Sequence, residues 1–164
     1  MRKLTVFLLL AVAGCLSMPS WHFKDKSLSV EQRVQNAIER LNDNADMLHN
    51  DRTPAVWELS DIGEPAVEPL LPYLFSDDHW TRVRAENAIE GAIMTMHGRK
   101  DKWPSDEQRN RCDNLFTTFW DMEANGGKTP LESSPELRMQ YVERIRAWLH
   151  ARRGKSQQAP QEKR

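Results

Sequence analysis

The chain has 164 residues, 23 basic and 24 acidic side chains, and a formal net charge of −1. That length suits one domain burying about two thirds of its unfolded surface. A near-neutral balance, with a pI of about 6.5, excludes the basic character usual in a nucleic-acid binder.

The chain starts Met1-Arg2-Lys3 and continues with an apolar run from Leu4 to Ala13, broken by Thr5. A run of ten residues is too short for a membrane-spanning helix, which needs about twenty. A basic start with a short apolar core is the export-signal pattern, so residues 1–14 are expected to be a signal peptide. Losing Arg2 and Lys3 with it leaves 21 basic against 24 acidic side chains, a net of −3. Val12-Ala13-Gly14-Cys15 resembles the bacterial lipobox. The resemblance implies cleavage before Cys15 and a thioether-linked diacylglycerol with a further acyl chain there, which makes the membrane a partner. Ala11-Val12-Ala13 also satisfies the ordinary small-x-small cleavage rule. Leu16, where aspartate would retain an inner-membrane lipoprotein, implies the outer membrane if the source is Gram-negative. Residues 15–26 then form a tether whose Trp21-His22-Phe23 would touch lipid headgroups or dock on the domain. Lipidation of Cys15 leaves Cys112 as a small buried hydrophobe. A free Cys15 would instead allow a disulfide between the two in an oxidising envelope.

The folded domain is expected over residues 27–153. Ser29-Val30-Glu31-Gln32 reads as a capping box. Behind it Val30, Val34, Ala37, Ile38, Leu41, Ala45 and Leu48 mark the stripe of a long helix. Thr53 and Pro54 suit the cap and first position of the next helix, whose apolar face is Ala55, Val56, Leu59 and Ile62. Gly63 supplies a left-handed stop and Pro65 restarts the chain, so two antiparallel helices must pack. The following run, Val67, Leu70, Leu71, Leu74 and Phe75, is interrupted by Pro69 and Pro72. A proline inside a helix costs roughly 3 kcal/mol, which predicts a short or kinked helix. Asp77 and Asp78 cap a third helix with the stripe Thr81, Ala85, Ala88, Ile89, Ala92, Ile93 and Met96.

Sliding the chain by thirty positions sets Arg52 on Arg82, Ala55 on Ala85, Leu59 on Ile89 and Ile62 on Ala92. Together with the Ile62-Gly63-Glu64-Pro65-Ala66-Val67 turn and the Asp78-x-x-x-Arg82-x-x-Ala85-x-x-Ala88-Ile89 pattern, this stretch resembles HEAT repeats, in particular the short bacterial type shared with the phycobilisome lyase group. Thr81 departs from the aliphatic residue usual there. The resemblance implies an all-α fold, a short α-solenoid of antiparallel helix pairs with about six helices, and the first helix as its terminal cap. Asp78, Arg82 and Arg52 are expected to act as repeat glue. Asp78 accepts orphan N–H groups, and Arg82 and Arg52 reach back to that acid or to a neighbouring turn.

Residues 98–104 form a basic loop, and Ser105-Asp106-Glu107-Gln108 is a second capping box. Its helix carries Cys112, Leu115, Phe116, Phe119, Trp120 and Met122 and should stop near Asn125-Gly126-Gly127. After a polar loop at 128–133, Ser134-Pro135 opens the last helix, striped by Leu137, Tyr141, Val142, Ile145, Trp148 and Leu149. The tail 154–164 has no apolar residue larger than Ala or Pro and should be disordered. Its basic excess would rest on anionic surfaces or simply solubilise the end.

No catalytic constellation emerges. The histidines at 22, 49, 79, 97 and 150 lack the spacing of metal ligands, and no phosphate loop, nucleophile elbow or paired-cysteine motif is present. Glu58, Asp61, Glu64 and Glu68 read as a solvated face. No metal and no small-molecule cofactor is expected. Of the six tryptophans, Trp120 and Trp148 fall on apolar stripes. Trp57, Trp80 and Trp103 do not, and with Arg84 beside Trp80 they are candidate partner contacts. The whole reads as a non-catalytic envelope lipoprotein displaying a HEAT-like scaffold to an unknown envelope protein. One alternative is a wall- or glycan-binding module using these tryptophans. Another is an enzyme of the HEAT-like lyase type, which an export signal argues against.

Overall fold

The structure is a computed structural model that describes residues 27–43, 50–98, 106–120 and 125–158, with the backbone alone for 106, 108–113 and 156–158. The expected signal, Cys15, the tether, Ala45, Leu48, Trp103, Ser105, Met122 and the side chain of Cys112 lie outside the described residues. Among the described residues six α-helices follow one another: α1 (Val30–Glu39), α2 (Pro54–Ile62), α3 (Glu64–Leu70), α4 (His79–Met96), α5 (Asp106–Phe119) and α6 (Pro135–Gln158). Short 3-10 segments occupy Leu71–Phe75 and Pro130–Glu132. The fold is all-α, with no strand among the described residues.

Local chemistry accounts for the boundaries. Ser29 and Gln32 exchange two hydrogen bonds, of 2.9 and 3.2 Å, and close the capping box of α1. The helix ends at Glu39, short of its apolar stripe, because the chain then meets Asn42 and Asp43, whose side chains favour turns. Leu41 is still buried there. Thr53 caps α2, accepting from the Val56 N–H and donating to the Leu41 carbonyl at 2.9 Å, so it also pins α2 to the end of α1. Gly63 stops α2 at φ 78°. A Cβ on Gly63 would meet Thr95 Cγ2 at 3.6 Å, which places the α2–α3 turn against the last turns of α4. The prolines act as predicted: α3 lasts seven residues, and Leu71–Phe75 continues as a 3-10 segment. Asp78 caps α4, accepting from the Thr81 N–H and hydroxyl, both at 2.7 Å.

Helix α4 is the central element. It packs on α2, α3, both 3-10 segments and α5, while α1 covers α2 and α3. Ala85, Ala88, Gly91 and Ala92 are all buried on it, and small residues let neighbouring backbones approach closely. The thirty-residue offset survives as matched burial at Ala55 and Ala85 and at Leu59 and Ile89. Ile62 is half-buried where Ala92 is fully buried.

The carboxy-terminal part is tied on by aromatics and arginines. Helix α5 ends at Phe119, earlier than the Asn125-Gly126-Gly127 stop. Trp120 is buried and donates its indole N–H to the Lys128 carbonyl at 2.8 Å. Phe119, Tyr141 and Trp148 pack edge-on. Helix α6 starts at Pro135 as expected, but it runs to Gln158 and so overturns the disordered tail for residues 154–158. Two features extend it. Lys and Gln are good helix formers, and Arg152 and Arg153 both approach Glu64 on α3, at 3.9 and 2.7 Å. Arg146 likewise reaches Glu68 at 2.9 Å. Glu64 and Glu68 are therefore cross-helix partners of α6 and not a bare solvated face. No helix among the described residues is long and apolar enough to cross a membrane.

Candidate functional site

The polar feature with the most internal support lies where the α1–α2 connection crosses α4. Arg84 is only 5 % exposed. Its guanidinium donates to Asn42 Oδ1 at 2.6 Å, to the Asn50 carbonyl at 3.0 and 2.9 Å, and to Asn50 Oδ1 at 3.1 Å. Both flanks of the connection, Asn42 and Asn50, are thus gathered on one side chain. Asn42 also donates to the Thr81 hydroxyl at 2.8 Å. One turn further along α4, Asn87 donates to the Asp51 carbonyl and carboxylate at 3.1 and 3.2 Å. A buried cation is tolerated when its donors are met, and these acceptors meet four of the five N–H positions with neutral groups.

Two tryptophans flank this seam. The Arg84 guanidinium carbon lies 5.7 Å from the Trp80 ring centroid, and the Trp80 ring is 40 % exposed, with His79 packed edge-on at 5.4 Å. Trp57 is half-buried, and the Arg52 guanidinium carbon lies 5.1 Å from its centroid. Of the expected contact residues, Trp80 is at the surface and Trp57 partly so, while Trp103 is outside the described residues. Arg84 is the correction. Its head group is consumed inside the fold and is not available to a partner, so it positions Trp80 and the α1–α2 connection.

The expected glue residues separate in the same way. Hydrogen bonds from the Thr81 side chain and backbone hold the Asp78 carboxyl below the usual carboxylate range. Arg82 donates to the Ser76 and Asp77 carbonyls at 2.7 and 3.0 Å, closing its own entry turn instead of reaching a neighbouring repeat. Arg52 pairs with adjacent Asp51 at 3.6 Å and covers Trp57. Arg52 and Arg82 share a sequence register but not a role.

Sequence periodicity misplaced Glu58. It is 7 % exposed and bridges Arg40 at 3.1 Å and Arg33 at 3.6 Å, so it locks α1 to α2. The apolar stripe of α2 gave no hint of this, because Glu58 lies off that stripe and is buried only by the arrival of α1. Glu86, one turn beyond Arg82 on α4, is pushed up to about 8 by burial and, secondarily, by Glu90 one turn on. The same burial, with Glu86 and Glu90 nearby, raises the Tyr141 hydroxyl well above its ordinary value. No cluster of His, Cys, Asp or Glu that could hold a metal occurs among the described residues.

Three outcomes follow from these groups. Arg84→Met should leave the Asn50 carbonyl and the Asn42 amide oxygen without their donor and cost about 2–4 kcal/mol in urea unfolding. Trp80→Ala, which removes the surface contacts of the ring with Arg84 and His79, should cost about 1 kcal/mol or less. Glu86 titrates near 4.5 when unfolded and near 8 when folded. Below 4.5 it is neutral in both states and carries no penalty. Between the two values unfolding releases its proton, so stability falls as pH rises, and the loss is complete above 8. Glu86→Gln should therefore match the wild type near pH 4 and exceed it by about 2–4 kcal/mol near pH 9 in paired unfolding curves.

Comparison with protein-family models, with curated proteins and with solved structures finds no match to this chain.

Proposed function

We propose that this chain is a non-catalytic binding scaffold of the bacterial cell envelope. It is lipid-anchored through Cys15 and presents a HEAT-like helical solenoid to an envelope protein. The observation that carries the binding part is the pairing of an exposed aromatic with a rigid base: Trp80 stands 40 % exposed over an arginine fixed by four hydrogen bonds. A large ring held in one place loses little conformational entropy on binding, and Trp is among the residues that most often dominate contact energies. Trp57 over Arg52 repeats the arrangement on α2. The solenoid part rests on the short antiparallel joint at Gly63 and on the matched burial of Ala55 with Ala85 and Leu59 with Ile89. The envelope part rests on the Val12-Ala13-Gly14-Cys15 motif behind a basic, short apolar start.

An aromatic platform with Asp77 and Asp78 exposed beside it also suits a sugar ring, which stacks its C–H face on indole and donates hydroxyl hydrogen bonds to carboxylates. The glycan-binding alternative thus uses the same Trp80 surface and differs only in what captures it.

Two measurements test the proposal. The intact mass of membrane-extracted protein should equal the chain from Cys15 plus diacylglyceryl and acyl groups, and Cys15→Ser should abolish the addition. A mass equal to the unmodified chain from Gly14 would remove the anchor. Chemical crosslinking in intact cells should then yield a stoichiometric protein adduct that Trp80→Ala weakens at least tenfold, while its fold stability falls by no more than about 1 kcal/mol. Retention on purified wall glycan, lost in the same variant with no protein adduct, would replace the scaffold with the glycan module.

A further inference from the structure

The last turns of α6 carry a second candidate surface, built on a tryptophan that packs against the core. An open groove of about 370 Å³ is lined by Trp148, Ala151, Arg152 and Lys155. Their spacing of three, four and seven residues puts all four on one helical face. Trp148 is the floor. Phe119 meets it edge-on at 5.7 Å, and His97 stacks at 6.1 Å. Arg152 stands over that ring, 5.8 Å from its centroid, and is held there by the Met96 carbonyl at 3.3 Å. Ala151 leaves the space open between them, and Lys155 closes the far rim, exposed.

Glu64 is shared by Arg152 and Arg153, Lys155 pairs with no carboxylate among the described residues, and no carboxylate lines the groove. We propose that this groove is a docking surface for anionic phospholipid: phosphodiester oxygens sit between Arg152 and Lys155, and the edge of Trp148 reaches the glycerol level. The combination of an indole with basic side chains is the one that favours the membrane interface. An acidic peptide would satisfy the cations but has no use for the indole floor. Proximity comes from the anchor proposed above, on which this inference rests for that point alone. Ser27 lies twelve positions after Cys15, a span of at most about 43 Å, so the domain stays near the bilayer. The competing account is local: basic residues at a helix C-terminus are favourable in themselves, and on that account no lipid would bind.

The test is co-sedimentation of the chain from residue 15 onward, carrying Cys15→Ser so that no acyl group contributes. Vesicles of phosphatidylcholine are compared with vesicles in which phosphatidylglycerol replaces part of it. Binding to the anionic vesicles alone, weakened by salt, is expected. Lys155→Glu and Ala151→Glu, both at exposed positions, should each lower that affinity about tenfold. Trp80→Ala should leave it unchanged, so a failed partner surface and a failed lipid surface are told apart. Equal binding to both vesicles, no binding to either, or wild-type binding by Lys155→Glu would overturn the proposal. Retention on polyglutamate beads with none on vesicles would overturn it in favour of an acidic protein.

Discussion

Backbone carbonyls left over at the ends of helices must find a donor, and in this fold arginine supplies it. The last turn of a helix has up to four carbonyls with no N–H to receive. Arg138 donates to the Leu74 carbonyl at the end of the 3-10 segment, Arg144 to that of Phe119 at the end of α5, and Arg152 to that of Met96 at the end of α4. All three arginines stand on α6. A guanidinium is a planar fork of N–H donors that stays charged, and a cation at a helix C-terminus is also favoured by the dipole. One long helix thus closes three C-termini and, through Arg146 and Arg153, pairs with Glu68 and Glu64 on α3. The packing of α6 on the rest is set by these bonds as much as by Tyr141, Val142, Ile145 and Leu149.

The same device works at the amino-terminal side. Arg82 closes the turn before α4 on the Ser76 and Asp77 carbonyls, and Arg84 gathers Asn42 and Asn50 from the α1–α2 connection. Glu58 adds the converse case, a buried carboxylate met by Arg33 and Arg40. Charged groups with 4–7 % exposure are expensive unless paired. Their burial here fixes how α1, α2 and α4 sit, since each would be stranded by a shift of its neighbour.

What could be read from sequence follows the range of the forces involved. Caps are short-range, so Ser29, Thr53 and Asp78 were legible, as were the stop at Gly63 and the breaks at Pro69 and Pro72. Apolar periodicity is local too, and it located Leu59, Ile89, Ile93, Tyr141 and Ile145 in the core. Glu58, Arg84, Glu64 and Glu68 were not legible, because polar residues off a stripe look alike whether they face water or a helix that arrives from far along the chain. The Arg146 to Glu68 bond spans 78 positions. The length of α6 was missed for a related reason: composition marked 154–158 as polar, while the Arg152 and Arg153 pairs that hold the preceding turn are tertiary.

That distinction decides how the candidate surface should be understood. Arg84 beside Trp80 looks in sequence like a two-residue contact anchor, yet its head group is already committed to Asn42 and Asn50. A cation with four donors engaged gains little by meeting a new partner, because it would have to break those bonds or add acceptors where it is already desolvated. Trp80 is in the opposite position. Its ring has lost one face to Arg84 and keeps 40 % of its surface in water, so covering the rest still yields the hydrophobic gain of an indole. The arginine's part is to hold the ring still. In the scaffold proposed above, recognition on this side of the fold falls to Trp80 and Trp57, with the buried polar seam setting their geometry.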